Sequence, residues 1–247
     1  MNKFGIVGYG IIGKATQIGL LNQADVIIHD PIFNTSLSDI QACSVVFFCI
    51  PTSTQHDIEV LTQTIIDVKL QNPNTTIVIR STVPLQSCKK IQDTVGDKIF
   101  YIPEFLRERY WDTDCTKEVV IVGHEDNIAP TWLTDKLVRT CSLEEAELLK
   151  MFHNNYAAMR VVYANHFYNL AEAVDADYDK VLSMYFHTEH DQSYLDVNDN
   201  LRGFGGKCLP KDLDFLIASC NELSVTQTLF DSVKRDNLLW PTHVKKS

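Results

Sequence analysis

Six short apolar runs, separated by stretches with helix-like spacing, narrow the folds open to this chain more than any other feature. They read FGIVGYG, DVIIHD, SVVFFCIP, TTIVIRST, KIFYIP and EVVIVG. Runs that are apolar throughout are typical of strands in a parallel sheet with helices on both faces. Residues 13–22 and 55–70, which lie between such runs, show the apolar spacing of helices. The first half of the chain, residues 1–140, therefore predicts a doubly wound α/β domain.

The second half of the chain carries a helical pattern. Ser142 with Glu145 three residues later forms a capping box, and neither Gly nor Pro occurs from there to Val174. This predicts one long helix, on which an all-α domain at 141–247 is built. Further helices are predicted at 177–186, 210–220 and 225–239.

Composition excludes several classes of protein. A chain of 247 residues, 45% hydrophobic and 22% charged, is long enough for two modest globular domains. No run approaches the roughly 20 apolar residues that span a bilayer. The net charge of -10 disfavours nucleic acid or an anionic membrane as a partner. Seven cysteines without a CxxC pair indicate a reducing compartment and no zinc site, so we expect a cytoplasmic protein.

A glycine pattern follows the first apolar run. Gly8, Gly10 and Gly13 give GxGxxG between the first predicted strand and the first predicted helix. There the glycines permit a tight turn, close approach of the backbone to a pyrophosphate, and packing of helix on strand. Asp30 ends the second run, where a carboxylate bonds a ribose hydroxyl and repels a 2′-phosphate. The pattern predicts an NAD site; a glycine turn that binds nothing, or a flavin nucleotide, is the alternative.

The stretch GFGGKCLPKD, residues 203–212, places a cysteine between glycines and a proline. Proline is favoured in the first turn of a helix, so Cys208 is expected where a loop passes into a helix. Free amides and the helix dipole at that point favour a thiolate. A glycine turn with an inert, small apolar residue is the alternative.

These motifs and four more make the chain resemble the nucleotide-sugar dehydrogenases of the UDP-glucose and GDP-mannose 6-dehydrogenase family. The further motifs are CIPT at 49–52, STVP at 81–84, PEFLRE at 103–108, and AELLK at 146–150 with Asn154. All occur in the family's order, over residues 5 to about 215. The resemblance implies an N-terminal Rossmann domain that binds NAD, and a helical central domain whose long helix forms a homodimer.

The resemblance also implies an activity, which serves polysaccharide biosynthesis. The C6 alcohol of a UDP-glucose-like nucleotide sugar is oxidised to an aldehyde and then to a carboxylate, and two NAD+ are reduced. Cys208 would be the nucleophile of the second oxidation. Its thiolate adds to the aldehyde, the thiohemiacetal gives up a hydride, and the resulting thioester is hydrolysed.

Five more residues receive catalytic roles from the resemblance. Lys150 and Asn154 would stabilise oxyanions, and Asp212 would orient Lys150 or a water. Glu104 would be the base for thioester hydrolysis, which requires a carboxyl pKa raised towards neutrality, and Thr82 would help to place the water. Taken alone, these residues have other interpretations: a solvated lysine, a satisfied asparagine, a carboxylate that caps a loop, and an acid in the first turn of a helix.

Contacts with cofactor and substrate follow from the same resemblance. The expected NAD contacts are Gly8, Tyr9, Gly10, Ile11, Ile12, Gly13, Asp30, Pro51, Thr52, Ser81, Thr82 and Glu108. The expected substrate contacts are Phe105, Leu106, Arg107, Glu108, Lys150, Asn154, Phe204 and Gly205. No metal is expected.

The chain departs from the family pattern in several places. Few residues follow the last predicted helix, so the family's third, nucleotide-binding domain is expected to be absent. Either two domains then bind the substrate weakly, or a separate chain completes the nucleotide site, or the activity is lost. Lys117 and Glu118 stand where the family has Asp-Arg. Residues 191–193 lack the family's Arg-Ile-Gly, and Arg202 is the candidate to replace that arginine.

Two other functions stay open. One is a catalytically silent NAD-binding or assembly module that partners a full-length enzyme. The other is a two-domain hydroxyacid or phosphogluconate-type dehydrogenase, which shares the plan of a Rossmann unit plus helices but needs no cysteine nucleophile.

Overall fold

The structure, a computed structural model, describes residues 2–116, 119–134, 136–186 and 202–241. The chain divides into two compact units, unit 1 at residues 1–150 and unit 2 at residues 151–247. The departures at Lys117, Glu118 and residues 191–193 lie outside the described residues. Among the helices that the structure describes, none has the length and apolar character needed to cross a membrane.

The described residues of unit 1 form a seven-stranded sheet. Its strands are β1 (Phe4–Val7), β2 (Val26–His29), β3 (Val45–Phe48), β4 (Thr76–Ile79), β5 (Phe100–Tyr101), β6 (Val119–Gly123) and β7 (Leu137–Cys141). Their order is β2-β1-β3-β4-β5-β6-β7, and all neighbours are parallel except β5 and β6. The six predicted runs are β1 to β6, which confirms the α/β fold class. The seventh strand was not predicted, because it lies at the sheet edge with Leu137 and Arg139 exposed and so lacks an apolar run.

Helices cover both faces of this sheet. They are α1 (Ile11–Ala15), which continues as a π-helix at Thr16–Leu20, then α2 (Gln55–Gln71), α3 (Ser87–Val95) and α4 (Trp111–Asp114). Val46 and Phe48 of β3 pack in one core with residues of α2 and α3, whereas Val45 and Phe47 pack in the other. Successive side chains of a strand point to opposite faces, so strands covered on both sides must be apolar throughout.

The long helix α5 (Leu143–Ala173) begins in unit 1 and continues into unit 2. Its predicted capping box is present. The backbone N–H of Ser142 donates to Glu145 Oε2 at 2.8 Å, and the N–H of Glu145 donates to Ser142 Oγ at 3.1 Å. The prediction of one helix from this point to Val174 is therefore confirmed to within one residue at its end.

In its described residues, unit 2 consists of helices alone. Besides its part of α5 it holds α6 (Tyr178–Phe186), α7 (Leu209–Glu222) and α8 (Leu229–Asn237). Each overlaps a predicted helix. The last one starts at Leu229, four residues later than predicted. The main core of this unit contains Ala158, Val162, Phe204, Leu213, Val233 and Trp240.

Candidate active site

The glycine turn after β1 has two positions set by packing and one that is open. Gly8 has φ +85°, and a Cβ on Gly13 would lie 2.3 Å from Gly8 O. A Cβ on Gly10, in contrast, would meet nothing within 4 Å. The exposed backbone at Gly10, just before α1, is the surface that a pyrophosphate needs.

Asp30, at the end of β2, lies beside this turn. Its Oδ2 accepts a hydrogen bond of 2.7 Å from the N–H of Tyr9, and its Oδ1 accepts one of 2.9 Å from the N–H of Ile32. A carboxylate has about four acceptor positions, so it can still bond ribose hydroxyls. The turn and this carboxylate together fit a dinucleotide.

The loops that follow β3 and β4 are tied to each other. Thr52 Oγ1 donates to Thr82 O at 2.6 Å, and Ser81 Oγ donates to Ile50 O at 2.7 Å. Thr52, Ser81 and Thr82 are buried, whereas Pro51 is exposed. The structure thus brings these predicted cofactor residues together at the carboxyl ends of two neighbouring strands, the edge where open α/β sheets bind ligands.

Glu104 and Lys150 form a buried ion pair inside unit 1. Lys150 Nζ donates to Glu104 Oε1 at 2.9 Å and to Glu104 O at 2.6 Å, and it lies 5.6 Å from the centre of the Phe105 ring. The N–H of Leu106 donates to Glu104 Oε2 at 2.7 Å. Lys150 is 1% exposed, so its interpretation as a solvated helix residue is wrong.

The pKa of Glu104 is shifted in the direction opposite to that expected of a hydrolytic base. Burial by itself would raise the pKa of this carboxyl, but the Lys150 ammonium and the Leu106 N–H together hold it below its ordinary value. Glu104 is therefore an anion at neutral pH with both oxygens bonded. A carboxylate has about four acceptor positions, so Glu104 can still accept a hydrogen bond from water, but its lowered pKa makes it a weaker base.

A cavity of about 440 Å³ adjoins Glu104 within unit 1. Its lining includes Arg80, Phe105 and Leu106. Arg80 is buried, and its Nε and Nη1 donate to Thr16 Oγ1 at 3.2 Å and to Ile102 O at 2.8 Å. The predicted residues Phe105 and Leu106 thus border open space.

The next two predicted residues differ in their surroundings. The Arg107 guanidinium bonds both carboxylate oxygens of the buried Asp114, at 2.9 and 2.8 Å. Glu108 is exposed, in the 3-10 turn Glu108–Tyr110. The structure therefore gives Arg107 a role in holding the loop, while Glu108 is open to solvent.

Cys208 caps the start of α7 in unit 2. It is half-buried, Pro210 lies in the first turn, and the N–H of Asp212 donates to Cys208 O at 2.9 Å. Gly206, two residues before the cysteine, has φ +75°, a conformation that favours glycine. The prediction that Cys208 lies where a loop passes into a helix is confirmed.

Asp212 is fully buried behind this first turn. Its Oδ2 accepts a hydrogen bond from Asn154 Nδ2, and Asn155 Nδ2 reaches its backbone oxygen at 3.4 Å. Its Oδ1 lies 3.5 Å from Lys211 Nζ and has no hydrogen-bond partner. A buried carboxylate oxygen with spare capacity can accept a bond from water or a substrate hydroxyl.

Arg202 and Phe204 are engaged within unit 2. Arg202 Nε donates to Asn165 Oδ1 at 2.9 Å, and the guanidinium carbon lies 4.9 Å from the centre of the Tyr168 ring. Phe204 is 5% exposed in the core of the unit, whereas Gly205 is partly exposed. The structure therefore gives Phe204 a packing role rather than a surface that a sugar can contact.

No group of three or more His, Cys, Asp or Glu side chains within the described ranges is placed to hold a metal ion.

Comparison with known proteins places both halves of the chain in one family. Residues 29–136 match the UDP-glucose/GDP-mannose dehydrogenase family, NAD binding domain, and residues 144–238 match the central domain of the same family. The chain belongs to the UDP-glucose/GDP-mannose dehydrogenase family. Its NAD cofactor is thereby confirmed at the level of the family domain, and the resemblance inferred from the motifs is correct.

Two curated relatives illustrate the range of the family. The chain is 30% identical over 183 residues to UDP-glucose 6-dehydrogenase of Streptococcus pneumoniae, and the aligned region covers 67% of this chain and 45% of that protein. It is 31% identical over 189 residues to GDP-mannose 6-dehydrogenase of Pseudomonas putida, and the aligned region covers 66% of this chain and 41% of that protein. The chain thus spans less than half the length of these relatives.

A solved structure shows the same fold. A UDP-glucose dehydrogenase from the archaeon Pyrobaculum islandicum superimposes with a TM-score of 0.80 at 20% identity, over 97% of this chain and 68% of that one. The Rossmann-type unit with a long helix is therefore the fold of this family member.

Sequence reasoning missed several buried ionisable residues, among them Glu147 in the AELLK motif. Its two carboxylate oxygens accept hydrogen bonds of 2.6 Å from the N–H groups of Gln86 and Cys88. Burial raises its pKa to about 7, although these bonds act in the opposite direction. The partners lie some sixty residues away in sequence, so no local signal identifies this role.

Proposed function

We propose that this chain is an NAD-dependent dehydrogenase that oxidises the C6 alcohol of a UDP-glucose-like nucleotide sugar to a uronic acid through Cys208. The observation that carries the proposal is a half-buried cysteine at the head of α7, in the central domain of a dehydrogenase family. The chemistry needs a nucleophile at that oxidation level, because an aldehyde cannot lose hydride until something adds to it.

Cys208 supplies this nucleophile. Its sulfur bonds to the aldehyde carbon, the carbonyl becomes an oxyanion, and loss of hydride from that carbon leaves a thioester. Water then attacks the thioester and the C–S bond breaks, so that the carboxylate product is released and the Cys208 thiol is regenerated. NAD, when bound, accepts the hydrides of the two oxidations, one per molecule.

The remaining residues assist through charge and hydrogen bonds. The Lys150 ammonium stabilises oxyanions in unit 1, where burial strengthens its field. Glu104, an anion with acceptor positions left, takes the proton of the hydrolytic water. In unit 2, Asn154 and Asp212 hold the hydrogen bonds next to the first turn of α7.

The test mixes the purified chain with NAD+ and UDP-glucose, and then with GDP-mannose, and counts the NADH formed per sugar consumed. Two NADH with a uronic acid product are expected. Cys208→Ser should abolish uronate formation, while Cys141→Ser, at another partly exposed thiol, should leave the rate unchanged. An unchanged rate of uronate formation in Cys208→Ser would rule out the covalent mechanism.

The same assay, repeated with a hydroxyacid as substrate, decides between this function and its alternatives. No NADH from any nucleotide sugar, in a chain that still binds NAD, would favour a silent module that partners a full-length enzyme. One NADH from a hydroxyacid would favour a hydroxyacid dehydrogenase. A cytoplasmic location, a role in polysaccharide biosynthesis and a second chain at the nucleotide site stay predictions.

A further inference from the structure

The segment that leads to Cys208 is held at its far end by an asparagine of α8. Asn237, the last residue of that helix, is 7% exposed. Its Oδ1 accepts a hydrogen bond of 2.8 Å from the N–H of Phe204, and its Nδ2 donates one of 2.9 Å to Phe204 O. One carboxamide thus pairs with both backbone groups of one residue, as a neighbouring strand would.

Further contacts hold the backbone of residues 202–204. The N–H of Gly203 donates to Pro241 O at 2.9 Å, and Asn165 Nδ2 donates to Arg202 O. The Phe204 ring packs in the core of unit 2. The backbone is therefore fixed from the side of α8 and from the side of α5, four residues before the thiol.

A segment with two glycines separates this point from the thiol. Gly205, Gly206 and Lys207 connect Phe204 to Cys208, and two of these three are glycines. On the far side of the thiol, Leu209 packs against the core of unit 2 and Asp212 is fully buried in the first turn of α7. The backbone is thus held on both sides of the glycine segment that precedes the sulfur.

We propose that Asn237 is a positioning residue for Cys208, which sets the place of the thiol by pairing with the backbone of Phe204. The inference rests on the proposed function, since it concerns the nucleophile of that reaction. An offset of about 1 Å in a reacting group can cost on the order of 100-fold in rate. Loss of the pairing should therefore act on the chemical steps more than on substrate binding.

The test compares Asn237→Ala with Val233→Ala. Val233 lies on the same helix and in the same core, but its side chain makes no hydrogen bond to the loop. Two quantities are measured: kcat and KM for the nucleotide sugar, and the rate at which iodoacetamide labels Cys208, read from the Cys208 peptide by mass spectrometry.

For Asn237→Ala we expect kcat to fall about 10- to 100-fold with KM changed less than about 3-fold. We expect Cys208 to be labelled at least about 3-fold faster, because a loosened loop exposes a half-buried thiol. Val233→Ala should lower stability while both quantities stay near those of the wild type. If Asn237→Ala does not fold, Asn237→Asp replaces it, since it keeps the acceptor for the Phe204 N–H and removes the donor.

Unchanged labelling together with unchanged kcat in the Asn237 variant would overturn the proposal, as would equal effects of the two substitutions. The labelling needs no substrate, so it separates this proposal from the proposed function. Faster labelling of the variant, in a chain whose wild type oxidises no nucleotide sugar, would support the positioning and reject the reaction.

Discussion

Gly10 and Gly13 lie three residues apart at the nucleotide turn, yet they constrain the chain for different reasons. At Gly13 a side chain would collide with the backbone of Gly8, so the glycine is a requirement of packing between β1 and α1. At Gly10 a side chain has room in the protein, so the glycine is explained by a ligand that approaches the backbone. The two positions can be separated by experiment.

We predict that Gly10→Ala changes the free energy of unfolding by less than about 0.5 kcal/mol but weakens NAD binding at least about 10-fold. Gly13→Ala should lower the free energy of unfolding by about 1–3 kcal/mol, because neither backbone can move away. Urea unfolding and calorimetric titration with NAD measure these effects. Tight NAD binding by Gly10→Ala would contradict the assignment of the open surface to the pyrophosphate.

The ion pair of Glu104 and Lys150 is the second residue-level feature with a measurable consequence. Glu104→Gln leaves a buried ammonium without its anion, so we expect the free energy of unfolding to fall by about 3–5 kcal/mol. Because the pKa of Glu104 is lowered in the folded state, its contribution is present above the ordinary carboxyl pKa and is lost as the pH falls through the lowered one. The difference from the wild type should therefore shrink in acid, as urea unfolding at several pH values would show.

Asp126→Asn is the matched control for that prediction. It breaks a pair with Lys98 in which both side chains are about half exposed, so it should cost little. Equal losses of unfolding free energy in the two variants would mean that burial does not strengthen the contribution of Glu104.

At the scale of elements, α3 depends on α5 for its start. Gln86, before the first residue of α3, has φ 68° and offers no side-chain cap. The carboxylate of Glu147 on α5 instead accepts hydrogen bonds from the N–H groups of Gln86 and Cys88. An anion at a helix N-terminus is favourable, but here it must be buried, and this conflict explains a pKa of about 7.

This conflict predicts a pH dependence of stability. The folded state binds the Glu147 proton more tightly than the unfolded state, whose carboxyl has a pKa near 4.5. The contribution of the protonated Glu147 to the free energy of unfolding is therefore complete below pH 4.5, and it is lost as the pH rises to about 7. Relative to Glu147→Gln, the wild type should lose about 3 kcal/mol of unfolding free energy over that interval.

Urea unfolding at four or five pH values from 4.5 to 8 measures this difference. Glu172→Gln, at an exposed position near the other end of the same helix, is the control and should follow the wild-type curve. Parallel curves for the wild type and Glu147→Gln would rule out a raised pKa at this residue.

At the scale of the whole molecule, α5 carries a row of exposed apolar side chains. Phe152, Tyr163, Phe167 and Leu170 are 67%, 57%, 46% and 57% exposed. Such a patch on a globular protein commonly marks an interface. The homodimer predicted from the family resemblance stays a proposal, and this surface is its candidate contact.

A sedimentation or light-scattering measurement tests it. We expect a mass of twice 28.1 kDa, and a monomer in the double variant Tyr163→Ser with Phe167→Ser, whose exposed positions should leave the folded chain intact. Leu229→Ser, 53% exposed on α8, should remain dimeric. A monomeric wild type would refute the proposal.

The sequence by itself determined those features whose signals lie close together along the chain. Apolar runs predict β1 to β6, because strands covered on both faces leave no polar position. The capping box predicts the start of α5, and the glycine turn with Asp30 predicts the NAD site. The family followed from the order of the motifs, which is also a property of the sequence.

Only the tertiary structure decided which polar groups meet inside the two units. Lys150 reaches Glu104 across 46 residues, Glu147 reaches Gln86 across 61, and Asn237 reaches Phe204 across 33. A buried charge or amide is stable only with a partner, and that partner is chosen by the packing of distant elements. For this reason the residues of the candidate site were predicted from the sequence, whereas their charge states and supports were not.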